Sequence, residues 1–318
     1  MRKAGLLLSG VLAALLALAC EHAPVDDFTP VLNVQSMISP WWVHAENVIF
    51  VNRTYRITEQ PESIIRGAEV LVWHTGSADT SRFSERLFWY GSDTRNFWAY
   101  ATPVPSLFLW SGDTAYLRVA KDGFDTVAGQ TFVPGMFSIT QPAEMDTVTV
   151  NDTLVWRRSR GAAGYYMSYR FSYQGQEFNY AIVLPNDSIP GEQYDSLQVS
   201  FPMLFLSGET PGHSVLVNVT AVDSNYYEWV QAAGGSTRKA DELPAFGITG
   251  GIGVFGSGIL RQMHVIVGSD TLRAKLPSPG KGKAAFLDEL RRRMPAGAIV
   301  LSEPVPEIEA LIRRGAGR

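Results

Sequence analysis

The chain has one cysteine, Cys20, so an internal disulfide framework and a multi-cysteine zinc or iron–sulfur site are excluded. Its five histidines, His22, His44, His74, His213 and His264, include no i, i+4 pair on a helix and no H-E-x-x-H, so a zinc protease has no ligands. A G-x-S-x-G nucleophile elbow is also missing. Charged residues are only 18% and the formal charge is −4, which argues against a general nucleic-acid binder. No convincing amphipathic helix occurs before residue 280, and after the first twenty residues no apolar run reaches the ~20 residues of a membrane span. What is present is a chain of 318 residues, 46% hydrophobic, with room for about two domains at ~150 residues each. Its 29 glycines and 18 prolines suit a turn-rich, all-β architecture.

The first twenty residues carry an address. Arg2 and Lys3 precede an uncharged run over 5–19, too short for a span and right for the apolar core of a signal peptide. The run ends Leu16-Ala17-Leu18-Ala19-Cys20, which resembles a bacterial lipobox: cleavage before Cys20 and lipidation of its thiol. Residues 1–19 are therefore expected to be a lipoprotein signal peptide. Residues 20–30 then form a lipidated cysteine and acidic tether, with Glu21, Asp26 and Asp27 beside Pro24 and Pro30. The expected first partner is a membrane, through acyl chains that contribute ~0.8 kcal/mol per buried CH₂.

From residue 31 the pattern is strands and turns. Val48, Phe50, Asn52 and Thr54 alternate against Ile49, Val51, Arg53 and Tyr55, the signature of a half-buried strand. Six or seven such runs fill 31–135, the content of one β-sandwich. Pro134-Gly135 breaks the chain, and 136–270 holds a second set that includes 214–223 and 251–268. Residues 271–318 are a linker with two short helices expected over 284–294 and 306–315. Charge divides at the same place: 271–318 carry 10 Lys/Arg against 5 Asp/Glu, and 20–270 carry 15 against 26.

The second set resembles a fibronectin type III domain. Trp156 stands where that family keeps its core tryptophan, Ala163-Gly164-Tyr165-Tyr166 precedes the next strand, and the alternating valines of 215–223 end Ala-Val-Asp. The resemblance implies that Trp156, with Tyr165 or Tyr166, fills the ~10 Å gap between two sheets. The first set, with Gly67-Ala68-x-Val70 and Gly112-x-Thr114-x-Tyr116, resembles a carboxypeptidase-regulatory or other Ig-like sandwich. The whole order, from lipobox through VLNV (31–34) to GGIGVFG (250–256), is similar to a family of uncharacterised Bacteroidota-type lipoproteins carrying a domain of unknown function. That likeness implies an outer-membrane, lipid-anchored protein, company with outer-membrane transporters, and no catalysis.

Gly251-x-Gly253-x-x-Gly256 matches a dinucleotide fingerprint only in letters, because a strand pattern follows it and no βαβ unit surrounds it; bulging glycines in an edge strand are expected instead. Asp26-Asp27 and Asp241-Glu242 lie in polar loops without calcium-site spacing, and the histidines read as solvated. No cofactor and no metal are expected. Aromatics are the informative class: six of the eight tryptophans, Trp41, Trp42, Trp73, Trp89, Trp98 and Trp110, fall in the first set. Rings on both faces of its strands point to exposed ones, and Trp41, Trp42, Trp89 and Trp98 are the binding candidates. The expected function is a non-enzymatic envelope lipoprotein that binds or scaffolds, with a glycan-binding surface lipoprotein as the alternative.

Overall fold

A computed structural model describes residues 28–40, 47–56, 64–77, 79–89, 96–102, 107–149, 152–173, 176–186, 196–200, 214–235, 245–268 and 299–301. Cys20, most of the acidic tether, Asp241-Glu242 and both expected tail helices lie outside them. The chain divides into a small unit, Met1–Pro30 with Tyr55–Gln60, and a large one, Val31–Thr54 with Pro61–Arg318. Within the small unit the Arg56 guanidinium lies 5.7 Å from the centre of the Phe28 ring.

The large unit is all-β. Its first seven strands are β1 (Leu32–Ile38), β2 (Val48–Arg53), β3 (Glu69–His74), β4 (Ser81–Trp89), β5 (Asn96–Ala101), β6 (Thr114–Ala120) and β7 (Val127–Phe132). One sheet runs β7-β6-β3-β4 and the other β4-β5-β2-β1. β4 belongs to both: Ser81–Phe83 pair with β3, and Ser84–Trp89 pair with β5. Alternation sets which side chains meet between the sheets. Val34, Ile49 and Val51 from one sheet and Val70, Val72, Leu117 and Val119 from the other are buried in one core.

The second sandwich begins with β8 (Ile139–Gln141), β9 (Thr147–Val148), β10 (Thr153–Arg157), β11 (Gly164–Tyr173), β12 (Gln176–Pro185), β13 (Ser196–Ser200) and β14 (Ser214–Val222). β13-β10-β8 form a three-stranded sheet, and β14, β11 and β12 form a second one. Trp156 on β10 meets Tyr165 on β11 edge-on, ring centres 5.3 Å apart, and Phe137 reaches the same tyrosine at 5.7 Å.

A helix follows at once, α1 (Ser224–Gly235), where the sequence reading expected none. Asp223 caps it, its Oδ1 accepting the Tyr226 N–H at 3.1 Å. Tyr226, Trp229 and Val230, at i, i+3 and i+4, pack with Tyr166, Val183 and Val222. The last strands are β15 (Ala245–Phe246), β16 (Ile248–Thr249), β17 (Ile252–Val267) and β18 (Ile299–Leu301). β18 extends the second sandwich by pairing with Ala181–Val183 of β12.

β17 joins the two sandwiches. Residues 252–257 run parallel to β1, and 258–266 run antiparallel to β14. A 16-residue strand at ~3.3 Å per residue is roughly 50 Å long, enough to serve both bodies. The boundary drawn from the sequence placed all of 136–270 in the second body. In the fold, β16 pairs with β7 and the first part of β17 completes the first sandwich. The glycine motif is therefore not at an edge: at Gly253 and Val254, β17 lies between β1 and β15. Gly253 has φ +108°, and a Cβ there would sit 2.1 Å from the Val34 carbonyl oxygen. A Cβ on Gly256 would sit 2.6 Å from the Tyr226 Cβ, so that glycine seats the helix.

Candidate functional site: the aromatic face of the first sandwich

The outward face of the β3-β6-β7 sheet follows from strand alternation. In β3, Val70, Val72 and His74 point inward, leaving Glu69, Leu71 and Trp73 on the other side. In β6, Ala115, Leu117 and Val119 are buried and Tyr116 and Arg118 face out. Register sets Trp73 opposite Tyr116 and Tyr116 opposite Gln130. The two rings stack, centres 5.7 Å apart and planes 17° from parallel. Beside them Arg118 Nη1 bonds Glu69 Oε2 at 2.5 Å. This is a cross-strand aromatic pair bordered by hydrogen-bonding groups.

The approach to β6 carries more exposed aromatic surface. Leu107 and Leu109 are buried, whereas Phe108 and Trp110 are 47% and 58% exposed. The turn after them is fixed by Asp113, whose Oδ2 accepts the Trp110 N–H at 2.8 Å. The same carboxylate lies 2.9 Å from His74 Nδ1. His74 is thus buried and partnered, not solvated as its place at a strand end implied. His264 keeps the exposed character expected of it and pairs with Glu144 at 3.1 Å.

The residues singled out from sequence are distributed differently. Trp41 and Trp42 lie outside the described residues, as does the side chain of Trp89. Trp98 is not an open ring: it packs against the core, and the Arg66 guanidinium lies 4.3 Å above it. Arg66 is held there by Glu85, whose Oε2 accepts from its Nε at 3.0 Å. Glu85 also accepts the Gly67 N–H, and that bond, more than Arg66, holds its carboxyl below the usual carboxylate range. Tyr100 completes the corner, its hydroxyl donating to the Ile65 carbonyl at 2.8 Å and accepting the Ala68 N–H at 2.8 Å. Burial pushes that phenol up. The cluster pins the 65–68 loop and leaves Trp98 no free face on Arg66's side. In the second sandwich Trp156, Tyr165 and Tyr166 are fully buried, and burial raises the Tyr165 phenol.

Among the described residues, Trp73, Tyr116, Phe108, Trp110 and Phe132 face outward; of the binding candidates chosen from sequence, only the Trp98 side chain is described. Alternation against Val70, Val72, Leu117 and Val119 was the available signal for Trp73 and Tyr116. The face presents rings, an ion pair and a carboxamide, groups suited to contact rather than to proton transfer.

No family model matches the chain, and no curated relative matches it. Among solved structures, immunoglobulin domains align with it. A complex of Dpr11 IG1 with DIP-gamma IG+IG2 is 9% identical, covers 75% of this chain and 98% of that one, and has a TM-score of 0.18. DIP-gamma IG1+IG2 is 6% identical, with 76% and 99% covered and the same TM-score. Superposition at that level carries no argument about this chain. The class is defined by its own strand pairing: an all-β protein of two β-sandwiches joined through one strand. Among the described residues, no helix is long and apolar enough to cross a membrane.

Proposed function

We propose that the chain is a cell-envelope lipoprotein, held at the outer membrane by a lipid on Cys20, that works as a non-enzymatic binding and scaffold module. The observation that carries this reading is the uneven placement of large rings. Among the described residues, the second sandwich buries Trp156, Tyr165 and Tyr166, whereas the first, beside its own buried rings, turns Trp73, Tyr116, Phe108 and Trp110 outward. Exposed Trp and Tyr side chains on a β scaffold are contact surface, since they bring large apolar area with little conformational entropy to lose. The partner implied by the family resemblance is an outer-membrane transporter or assembly. Replacing Cys20 by Ser tests the anchor: labelled fatty acid is lost and the protein moves to the soluble fraction. Continued membrane fractionation of the variant, with no label on the wild type, refutes it.

The second reading is a glycan-binding surface lipoprotein. The stacked Trp73–Tyr116 pair favours it, because Gln130, Arg118 and Glu69 lie on the same face and can bond sugar hydroxyls while a ring packs on the sugar's C–H face. A glycan array probed with the soluble 21–318 chain separates the two. Glycan capture lost on Trp73→Ala supports the second. A clean array together with crosslinks to a transporter, lost on Trp110→Ala, supports the first.

A further inference from the structure

A buried run of oxygen atoms lies where β7, α1 and β17 meet, and its proton count is informative. Asp223 follows the last residue of β14 and is 2% exposed, with Thr131 of β7 and Ser257 of β17 buried beside it. Asp223 Oδ2 is 2.6 Å from Thr131 Oγ1, Thr131 Oγ1 is 3.0 Å from Ser257 Oγ, and Ser257 Oγ is 2.6 Å from the Phe132 carbonyl oxygen. Each of these three gaps has hydrogen-bond length, and a run bonded throughout places one proton in each. The two hydroxyls bring only two. Ser257 must donate to the carbonyl, which has no proton of its own. Thr131 has one proton and two neighbours. If it donates to Asp223, the gap to Ser257 holds none. If it donates to Ser257, the proton in the first gap must come from the carboxyl.

We propose that Asp223 is held as the neutral carboxylic acid and that its proton closes a latch between the two sandwiches. The other carboxyl oxygen behaves accordingly. Oδ1 accepts the backbone N–H groups of Tyr226 and Ser257 at 3.1 Å each, as the carbonyl oxygen of an acid can. The position is also the joint itself. Thr131 and Phe132 belong to the first sandwich, Asp223 follows β14 of the second, and Ser257 is the last residue of β17 paired with β1 before the strand passes to β14. This inference does not rest on the binding role proposed above.

Among the described residues of β7, β14, α1 and β17, none brings a cation to the carboxyl. β7 and β14 contain no titratable residue. On α1, Tyr226 packs against Trp229 with its ring tilted, Tyr227 is half-buried, and Glu228 is exposed. On β17, Arg261 bonds the Phe137 carbonyl and His264 pairs with Glu144. Burial pushes the Asp223 carboxyl from 3.8 up to about 6, against the pull of hydrogen bonds from Thr131, Ser257, Tyr226 and Asn225. The folded state therefore holds a proton that the unfolded chain has released. The stabilisation is complete below the unfolded value near 3.8 and is lost as pH rises through about 6.

The test is urea unfolding of the whole chain from about pH 4 to about pH 8, wild type against Asp223→Asn. The carboxamide donates to Thr131 at every pH, so it imitates the protonated latch. The wild-type folding equilibrium should fall relative to the variant by on the order of 100-fold across that range. A pH-independent difference, or a wild type that gains on the variant as pH rises, overturns the proposal. Should Asp223→Asn fail to fold, infrared difference spectra of the wild type decide it. A protonated-carboxyl band that disappears through about pH 6 and shifts in Thr131→Val supports the latch, and its absence at about pH 5 refutes it.

Discussion

In the second sandwich six of the described rings point inward: Phe137, Trp156 and Tyr165 meet between its sheets, and Tyr166, Tyr226 and Trp229 fill the seam beneath α1. In the first, the core between the sheets is built mainly of Val, Ile and Leu, while Trp73, Tyr116, Phe108 and Trp110 sit outside it. The first sandwich buries Phe83, Phe88 and Tyr100 as well, so the difference lies in the rings it adds outside its core. β-branched side chains suffice to fill a sheet-to-sheet gap where strands alternate well. Rings beyond that requirement become surface. The comparison assigns stability to the buried rings of both bodies and proposes contact for the outward rings of the first.

The largest effect should come from the inward rings. Trp156→Ala is expected to cost ~3–5 kcal/mol, the usual range for a fully buried aromatic, read as a lower urea midpoint of the full chain. A loss under ~1 kcal/mol would remove the contrast between the sandwiches. Next is the strand they share. Gly253→Ala puts a side chain at φ +108° against the Val34 carbonyl, with an expected cost of about 1–3 kcal/mol. Because β1 must move, protection of β1 amides from hydrogen exchange should fall with it.

Glu85→Gln should cost on the order of 1 kcal/mol by weakening the bonds to Gly67 and Arg66. Since the folded-state carboxyl is held low, its contribution is present above the unfolded value of 4.5 and lost as pH falls through the folded one. The Gln variant should lose that part of the acid sensitivity. The smallest stability effect is expected at the outward rings. Trp73→Ala should cost about 0.5–1 kcal/mol, the value of a cross-strand aromatic pair, while abolishing ligand capture. If it destabilises as strongly as Trp156→Ala, the outer face is structural and the contrast fails.

Much of the strand pattern could be read before any coordinates, because alternation at Val48–Tyr55 or Val215–Ala221 directly reflects one buried and one open face. The placement of Trp156 was legible for the same reason, a ring at an inward position. Three features were not. α1 follows a valine-rich strand without a break, and its apolar residues are the aromatics Tyr226 and Trp229, which also suit strands; only Asp223 as a cap marked the change. The glycines of 251–256 signal close backbone approach but not which strand approaches, since β1 lies far away in sequence. Trp98 looked available because its strand carries rings on both faces. The arginine that covers it comes from a separate loop, and no local pattern predicts that meeting.

The pairing of β1 with β17 also has a consequence for how the protein is made. Ser39 Oγ donates to the Gly258 carbonyl across 219 residues of chain. During synthesis from the N-terminus, β1 to β7 emerge while their closing strand does not yet exist. One flank of the early sheet stays unpaired until the second sandwich has been translated and β17 arrives. Such a waiting edge is the type of surface that recruits stray strands. The second sandwich, whose β10–β13 and β11–β14 pairings are nearer in sequence, can gather first and carry β17 into place. A strand made after most of the second body then completes the first body begun.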